Sequence, residues 1–391
     1  MAEGFITRRG GVSSEQALAP TVNFVSSTFT TITFTITNND AETAVILWEV
    51  GDSTPDANSI ELAADATSQS FTITGLDGDT EYSVFATANV TGKVKSNVTE
   101  QKITTSDSAD FILATGGTTE EYDSGGKRYR SHAFTTSGEF EVVEVGPSTG
   151  DRNKVDYLII AGGAAGGGGG GDVRSGGGGG AGGYRTTNGT SGGNSSAESK
   201  VTVTAQSYSI TVGAGGAAVS ALSGNNGANS TALGITSTGG GGGGRGEASN
   251  DNQTFGLNGG SGGGGGNLGT AGSIAPDGGT GISGQGFDGG DSIIRNSSPW
   301  PGAGGGGAGS VGNNATTSGS GSGGNGLSNT LRDGTSETRG LGGNAKDGSN
   351  QTGSNATANT GNGGEGAAGD VNSGAGGSGI VIIRYEIAPS A

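Results

Sequence analysis

The sequence of 391 residues has no cysteine, one histidine, seven prolines and few apolar residues. Without cysteine, disulfides and thiolate metal sites are excluded. A single histidine, His132, excludes zinc sites built from several histidines and disfavours histidine-based catalysis. The apolar fraction without glycine is 29%, whereas globular domains hold about 40% on the same basis, since about 7% of their residues are glycine. A conventional hydrophobic core therefore cannot extend through the whole chain.

Export and membrane signals are also missing. The first residues, MAEGFITRRGG, lack the apolar segment of a secretory signal peptide, so Sec-type export is not expected. No run approaches the roughly 18 apolar residues of a membrane span, so membrane insertion is not expected either. The formal net charge of −17 is spread over both halves, which argues against nucleic-acid binding and favours a simple role in solubility.

Glycine is the residue that the chain has in excess. Of its 89 glycines, 75 follow Ala161, in runs that include 166–171, 176–180, 239–244, 262–266 and 304–307. Glycine has no side chain to bury and loses the most backbone entropy on ordering. The region is therefore either a flexible linker or an array ordered by backbone hydrogen bonds between closely packed segments. Collagen is excluded, because collagen needs a strict Gly-X-Y repeat with abundant proline.

Two segments before the glycine region have the pattern of β-structure. Residues 20–106 hold short alternating strands separated by turns, which predicts an antiparallel sandwich. Residues 109–160 are also strand-rich, and we expect 200–213 and 379–388 to complete a small β-sandwich base with them. The apolar runs 157–161 and 380–387 bracket the glycine region, and their natural partners are each other. Residues 161–378 form the glycine-rich region itself.

The segment GLDGDTEYSV at 75–84 resembles the corner of a fibronectin type III domain. That resemblance covers 20–106 and implies a bond from the Tyr82 hydroxyl to the upstream backbone. The usual tryptophan of the second strand is missing. The residues assigned structural roles in this sandwich are Phe34, which stands in its place, Trp48, Leu76 and Tyr82. Modules of this kind are mostly spacers or adhesion units, so the fold alone does not give a function.

The anchors YLIIAGG at 157–163, YSITVGAGG at 208–216 and GGSGIVIIRY at 376–385 resemble the glycine-rich domain of bacteriophage tail-fibre and related virion proteins. The resemblance covers 111–388. It implies a virion location and an all-β fold with a polyglycine II array, in which left-handed helices of three residues per turn bond side by side. For the adhesin members it implies host-receptor binding through loops at the tip of the array.

The resemblance indicates the candidate receptor contacts only by the region in which they lie, and not by a matching motif. They are the side chains Tyr184, Arg185, Phe255, Phe287, Arg295, Trp300 and Arg332. Trp300 lies between two prolines and is the strongest candidate, because a rigid aromatic residue in a loop is a common contact. Packing of Trp300 over the glycine array is the structural alternative.

The arm 1–19 carries Phe5 and Ile6 beside Arg8 and Arg9, and we expect it to dock on other virion proteins. The expected function is that of a phage fibre or adhesin, present in several copies, that contacts a host polysaccharide or protein. One alternative is a capsid or tail decoration protein without a receptor role. The other is a bacterial surface or matrix protein with a flexible glycine coat. No cofactor, metal site or catalytic residue is expected, since no GxGxxG match has the required context and His132 lies in an alternating strand.

Overall fold

The chain divides into two compact units, residues 1–110 and 111–391. The structure is a computed structural model that describes residues 15–27, 31–78, 80–105, 111–146, 148–171, 173–247, 253–269 and 274–388. Its described residues form antiparallel sheets and irregular segments, with one short 3-10 turn at Thr149–Asp151. The predicted all-β fold is confirmed.

The first unit is a sandwich of two antiparallel sheets. Its strands are β1 (Thr21–Ser27), β2 (Thr31–Thr37), β3 (Ala44–Val50), β4 (Asn58–Leu62), β5 (Ser68–Thr74), β6 (Glu81–Val90) and β7 (Thr99–Thr104). One sheet has the order β1-β2-β5 and the other β4-β3-β6-β7. Strands β1 and β4 were not predicted, because their few inward-facing apolar residues give no clear alternation.

An aromatic cluster fills the space between these two sheets. The Phe34 and Trp48 rings meet edge to face with centroids 5.5 Å apart, and Phe71 lies 4.7 Å from Trp48. Phe34 is fully buried and Leu76 packs at the margin of the core. The backbone N–H of Asp77 donates to the Tyr82 hydroxyl at 2.9 Å, so the bond expected of Tyr82 is present.

Part of the predicted arm belongs to this sandwich. The N–H of Ala17 donates to the Val94 carbonyl at 2.9 Å, and the N–H of Val94 donates to the Glu15 carbonyl. Ala17 is buried. Residues 15–19 are therefore packed against the first unit and are not a free arm. Phe5, Ile6, Arg8 and Arg9, which were predicted to dock, lie outside the described residues.

The second unit contains the β-sandwich base together with several short two-stranded hairpins. Its strands are β8 (Leu113–Thr115), β9 (Thr118–Ser124), β10 (Lys127–Phe134), β11 (Gly138–Glu144), β12 (Lys154–Ile160), β13 (Tyr184–Thr186), β14 (Thr190–Ser191), β15 (Ser195–Ser196), β16 (Val201–Thr202), β17 (Ser207–Ile210), β18 (Ser230–Ala232), β19 (Ile235–Ser237), β20 (Leu327–Asn329), β21 (Glu337–Arg339) and β22 (Ile380–Ile387). Strands β12 and β22, which bracket the glycine region, pair directly with Tyr157 opposite Ile383.

The large sheet of the base has the order β13-β12-β22-β10-β9, with β16 paired to the start of β12. One face packs on the small sheet β17-β11-β8 around Phe140, Tyr157 and Ile383. On the opposite face, Tyr184 of β13 packs with Ala308 and Leu331, which lie outside the sheet. Because both faces are covered, β12 and β22 are apolar along most of their length instead of alternating.

The glycine segments run outward from this base and return to it. Along the outward segment 162–168, every third backbone N–H donates to the same neighbouring segment. The N–H groups of Gly162, Ala165 and Gly168 donate, in that order, to the carbonyls of Ala228, Asn225 and Leu222. Those of Gly163 and Gly166 donate to Gly377 and Gly374, and those of Ala164 and Gly167 donate to Gly180 and Gly177. A period of three with bonds to three neighbours is the pattern of packed polyglycine II helices. The array satisfies its backbone without an apolar core.

Glycine is required inside the array because the neighbouring backbones leave no room for a side chain. A Cβ atom placed on Gly178 would overlap the carbonyl oxygen of Gly343, and one on Gly167 would overlap that of Gly244. These glycines do not have positive φ angles. Close approach of neighbouring segments therefore selects glycine here, and backbone conformation does not.

Asparagine side chains complete the backbone bonding at the margin of the array. Asn226 Oδ1 accepts from the N–H of Gly242 at 2.8 Å, and Asn229 Oδ1 accepts from Gly239 at 2.9 Å. Asn362 Oδ1 likewise accepts from the N–H of Leu341 at 2.9 Å. A side-chain amide thus replaces the carbonyl that a further glycine segment would supply.

Candidate functional site

The described turns at the outer end of the array meet on one face, opposite the base. The turn at Arg174 is hydrogen-bonded to the turn 368–373, where the N–H of Gly369 donates to the Arg174 carbonyl at 3.0 Å. Isolated bridges link Ser220 with Asn372 and Leu268 with Ile294. We define the distal face as the end of the array formed by residues 173–175, 220–223, 293–301, 316–319, 347–350 and 368–373.

The turn 293–301 is held tightly to this face. Arg295 folds back on its own turn, where Nε donates to the Ser297 carbonyl and Nη2 to the Ser298 carbonyl, each at 2.9 Å. The Trp300 carbonyl accepts from the N–H of Ser175 at 3.2 Å. Ser292 Oγ donates to the Pro301 carbonyl at 3.0 Å. Trp300 is half-buried, and its backbone is fixed from both sides.

Apolar side chains are exposed on the distal face and in the segment 274–276, where the Pro276 carbonyl accepts from the N–H of Ser292. Ile274 exposes 70% of its surface and Leu222 exposes 52%. Ile293 and Ile294 are half-buried beside Arg295. The distal face therefore combines apolar contact area with a fixed tryptophan and a guanidinium, which are residue types that contribute strongly to binding interfaces.

Two fully buried polar side chains lie near turn 293–301. Neither amide atom of Asn267 has a hydrogen-bond partner within the described part of the chain, and the same holds for Ser175 Oγ. The N–H of Asn267 donates to the Ser175 carbonyl at 2.8 Å, so the two residues are neighbours. Buried polar groups of this kind normally bond to protein or to ordered water. Sequence reasoning missed both residues, since each looks like an ordinary polar spacer.

The predicted contacts divide between the two ends of the second unit. Arg295 and Trp300 lie on the distal face. Phe255 is half-buried. It lies near the distal face, since the carbonyl of the adjacent Thr254 accepts from the N–H of Gly266 in the outer part of the array. Phe287 is half-buried on the basal side, where its N–H donates to the Gly307 carbonyl at 3.1 Å.

Arg185 and Arg332 belong to the base and not to the tip of the array. Arg332 lies in the β20–β21 hairpin, and its carbonyl accepts a bond from the Ser131 hydroxyl. Its guanidinium is 3.7 Å from the Glu337 carboxylate. Arg185 lies in β13 and is paired with Glu198.

Tyr184 was predicted to be an exposed contact, and the structure contradicts this. The ring is completely buried among Leu158, Leu331 and Ile382. The prediction was wrong because YRT after a glycine run has the appearance of a loop, whereas it forms the edge strand β13 against β12. Burial also raises the pKa of the Tyr184 hydroxyl.

His132 has a structural role in the base. The side chain is fully buried, with Nδ1 2.6 Å from the Gly116 carbonyl and Nε2 3.0 Å from the Tyr385 hydroxyl. Its ring stacks on Tyr385 with centroids 5.5 Å apart. Burial lowers the pKa of His132, since the charged imidazolium would lose its hydration.

Most of the lysine and arginine side chains in the described ranges are paired with carboxylates. Asp156 and Arg384 form an almost fully buried ion pair at 2.8 Å, and Arg384 also stacks over the Tyr129 ring at 4.2 Å. Among the residues that the structure describes, no group of three or more His, Cys, Asp or Glu side chains could hold a metal ion. No helix in the described ranges is long and apolar enough to span a membrane.

Fold and site together define an all-β protein whose glycine segments form a backbone-bonded array on a β-sandwich base. A family model described as a glycine-rich domain matches residues 135–386. The chain therefore belongs to the glycine-rich domain family. A search of curated proteins found no match to this chain.

Proposed function

We propose that the chain is a bacteriophage virion fibre or adhesin protein that presents its distal face to the host surface. The observation that supports this most is the gathering of the described outer turns on one face of a backbone-bonded array. An outward segment such as 162–169 spans about 25 Å at about 3.1 Å per residue. Such an array holds its tip away from the base without needing a large apolar core.

The order within the array argues for an attachment surface and against a flexible coat. Glycine-rich linkers behave as random coils, whereas the amides of 162–168 each have a defined carbonyl partner. A fixed tip reduces the entropy lost on binding. Weak contacts at each tip would then add through the several copies that a virion carries.

The first unit fits the role of a spacer. Its sheets of three and four strands and the bond between Asp77 and Tyr82 agree with the resemblance to a fibronectin type III domain. Residues before 15, including Phe5 and Arg8, are proposed to dock on another virion protein of the tail or capsid. The chain would then be located on the virion surface, in several copies, with host polysaccharide or protein as its partner at the distal face.

The first test is adhesion of bacteria to beads coated with the full chain. Trp300→Ala and Arg295→Ala are compared with Arg332→Ala, a matched arginine substitution at the base. We expect some bacterial strains to be retained by the original chain, and retention to fall at least tenfold for Trp300→Ala while Arg332→Ala has little effect. Equal retention by all variants, or no retention of any strain, would refute the distal face as the attachment surface.

A second test locates the protein. Gold-labelled antibodies raised against the chain should mark tail fibres on negatively stained virions of the phage that encodes it. Labelling spread evenly over the capsid, together with unchanged bacterial adhesion in the Trp300→Ala variant, would support the decoration role instead. Absence of label from virions would exclude both.

A further inference from the structure

The base of the array carries a second candidate site, about 25 Å from the distal face by the length of the segments between them. A cavity of about 430 Å³ opens at the junction of β13, the β14–β15 hairpin and the turn 283–285. That volume lies in the range of small-molecule pockets. We infer that this pocket binds a neutral saccharide unit. The residues that carry the inference are Arg185, Ser195, Ser196, Glu198, Ser283 and Gln285.

The charges in the pocket cancel each other. Arg185 Nε and Nη2 donate to the two carboxylate oxygens of Glu198 at 2.8 and 2.6 Å, and Nη1 donates to the Thr236 carbonyl. The Tyr157 hydroxyl donates to Glu198 at 2.7 Å. Burial by itself would raise the pKa of Glu198, but the bonds from Arg185 and Tyr157 lower it. The pair therefore stays ionised and offers no net charge to an ionic ligand.

The remaining polar groups of the pocket are available to a ligand. The hydroxyls of Ser195, Ser196 and Ser283 have no hydrogen bond to any other group in the described ranges. Gln285 Oε1 accepts from the N–H of Thr238 at 2.8 Å, which fixes the amide and leaves Nε2 as a donor. Serine hydroxyls both donate and accept, as sugar hydroxyls do. The set therefore matches a ligand rich in neutral hydroxyl groups.

The pocket walls are held in place before any ligand arrives. The carbonyl of Gln285 accepts from the N–H of Tyr184 at 2.9 Å, and Gly193 donates to Ala308 at 3.1 Å. A Cβ on Gly192 would overlap the Gln285 carbonyl, so the hairpin and the turn are in direct contact. Preorganised walls lower the entropic cost of binding.

The affinity of one pocket should be low. The residues that line the cavity include no aromatic side chain, so the ligand lacks a stacking platform and depends on hydrogen bonds. We expect a dissociation constant of about 1–10 mM, which is in the range where only a few contacts are made. Copies displayed together would strengthen such binding through multivalency.

Saturation-transfer NMR on the full chain tests this inference. The probes are free glucose, galactose, mannose, rhamnose and N-acetylglucosamine, with glucuronic acid as the acidic comparison and an acetylated Gly-Ser-Gly amide as the peptide comparison. At least one neutral sugar should receive saturation. Ser283→Leu, which fills the pocket mouth, should reduce that signal at least fivefold, and Ser318→Leu, the same change in an exposed turn of the distal face, should preserve it.

Ser195→Ala provides a second and milder change that removes one hydroxyl without adding bulk, and it should weaken the signal about twofold or more. Three results would overturn the inference: no saturation of any neutral sugar at 10 mM, roughly ten times the strongest expected constant; a preference for glucuronic acid or the peptide; or a signal lost in Trp300→Ala but kept in Ser283→Leu. The last result would place the sugar on the distal face, so failure of the pocket and failure of the proposed function remain distinguishable.

Discussion

The first unit and the glycine array are both ordered and closely packed, but opposite kinds of residue stabilise them. The sandwich buries large side chains such as Phe34 and Trp48 and satisfies its backbone within two sheets. The array has almost no side chains in its interior and bonds backbone to backbone in three directions around each segment. Side-chain volume is therefore required in one region and excluded from the other.

This difference has a consequence for substitutions. In the sandwich, removal of side-chain atoms leaves a cavity and costs free energy. In the array, addition of a single methyl group forces neighbouring backbones apart and breaks hydrogen bonds on several sides. Truncation of a side chain should therefore destabilise the sandwich most, whereas enlargement of a residue should destabilise the array most.

The largest effect is expected for Gly178→Ala. The added Cβ would overlap the Gly343 carbonyl, so the free energy of unfolding of the second unit should fall by about 4 kcal/mol or more. Gly138→Ala is the matched control, because its Cβ would meet only the Phe134 ring at an ordinary 3.9 Å. Calorimetry of both variants would measure the change. Equal stability of the two would mean that the segments do not pack as closely as described.

Phe34→Ala should have the next largest effect, and it should be confined to the first unit. Loss of a fully buried ring that contacts Trp48 and Phe71 should cost about 3–4 kcal/mol. Chemical denaturation followed by Trp48 fluorescence would report it, with Trp300→Phe as background to remove the second tryptophan. A cost below about 1 kcal/mol would argue that this ring is not part of the core.

The pH dependence of stability tests the base beneath the array. The pKa of His132 is lowered in the folded chain, so the unfolded chain binds the proton more readily. Stability is fully present above the unfolded value of about 6.5 and is lost as pH falls toward the folded value, by at most about 1.4 kcal/mol per pH unit.

His132→Gln keeps a hydrogen-bonding side chain but does not titrate. Its unfolding free energy should be lower at neutral pH yet should vary less between pH 6.5 and 5, a window set by the unfolded value of about 6.5. Urea titrations at several pH values give the comparison. If the wild-type chain and the variant had the same slope in that window, His132 would not be the group responsible.

The smallest effect is expected at the margin of the array. Asn362→Ala removes the acceptor of the Leu341 N–H, but water can replace it because Asn362 is half-buried. A cost of about 1 kcal/mol or less is expected, measured by the same calorimetry as for Gly178→Ala. A loss as large as that of the interior glycine would mean that Asn362 lies inside the array and not at its edge.

The sequence predicted those parts of the fold that have a strong residue pattern. Strands β2 and β11 alternate between buried apolar and outward polar side chains, and they were placed correctly. The pairing of β12 with β22 followed from two apolar runs that bracket the glycines. Strands β1 and β4 were missed because only a few of their side chains face the core. The margin of the array was also missed, although Asn226 and Asn229 are spaced by one turn of a polyglycine helix.

The candidate site was harder to predict because the path of each glycine segment is not encoded in its own sequence. The runs 176–180 and 262–266 are both five consecutive glycines, so their neighbours and direction depend on the turns between them. Arg185 and Arg295 therefore look equivalent in sequence, although one lies at the base and the other on the distal face. Tyr184 became buried through a three-residue strand that is too short to predict.

Hydrogen exchange of the glycine amides tests the central claim most directly. With uniform 15N labelling, and a glycine-selective sample to assign the glycine signals, the amides of Gly163, Gly167, Gly178 and Gly264 should exchange at least a hundredfold more slowly than an unstructured chain, because each donates to a carbonyl at 2.8–2.9 Å. Amides of the buried strand β12 provide the internal reference. Protection in both regions would establish that backbone bonding orders the array. Rapid exchange of these glycines beside a protected β12 would contradict it.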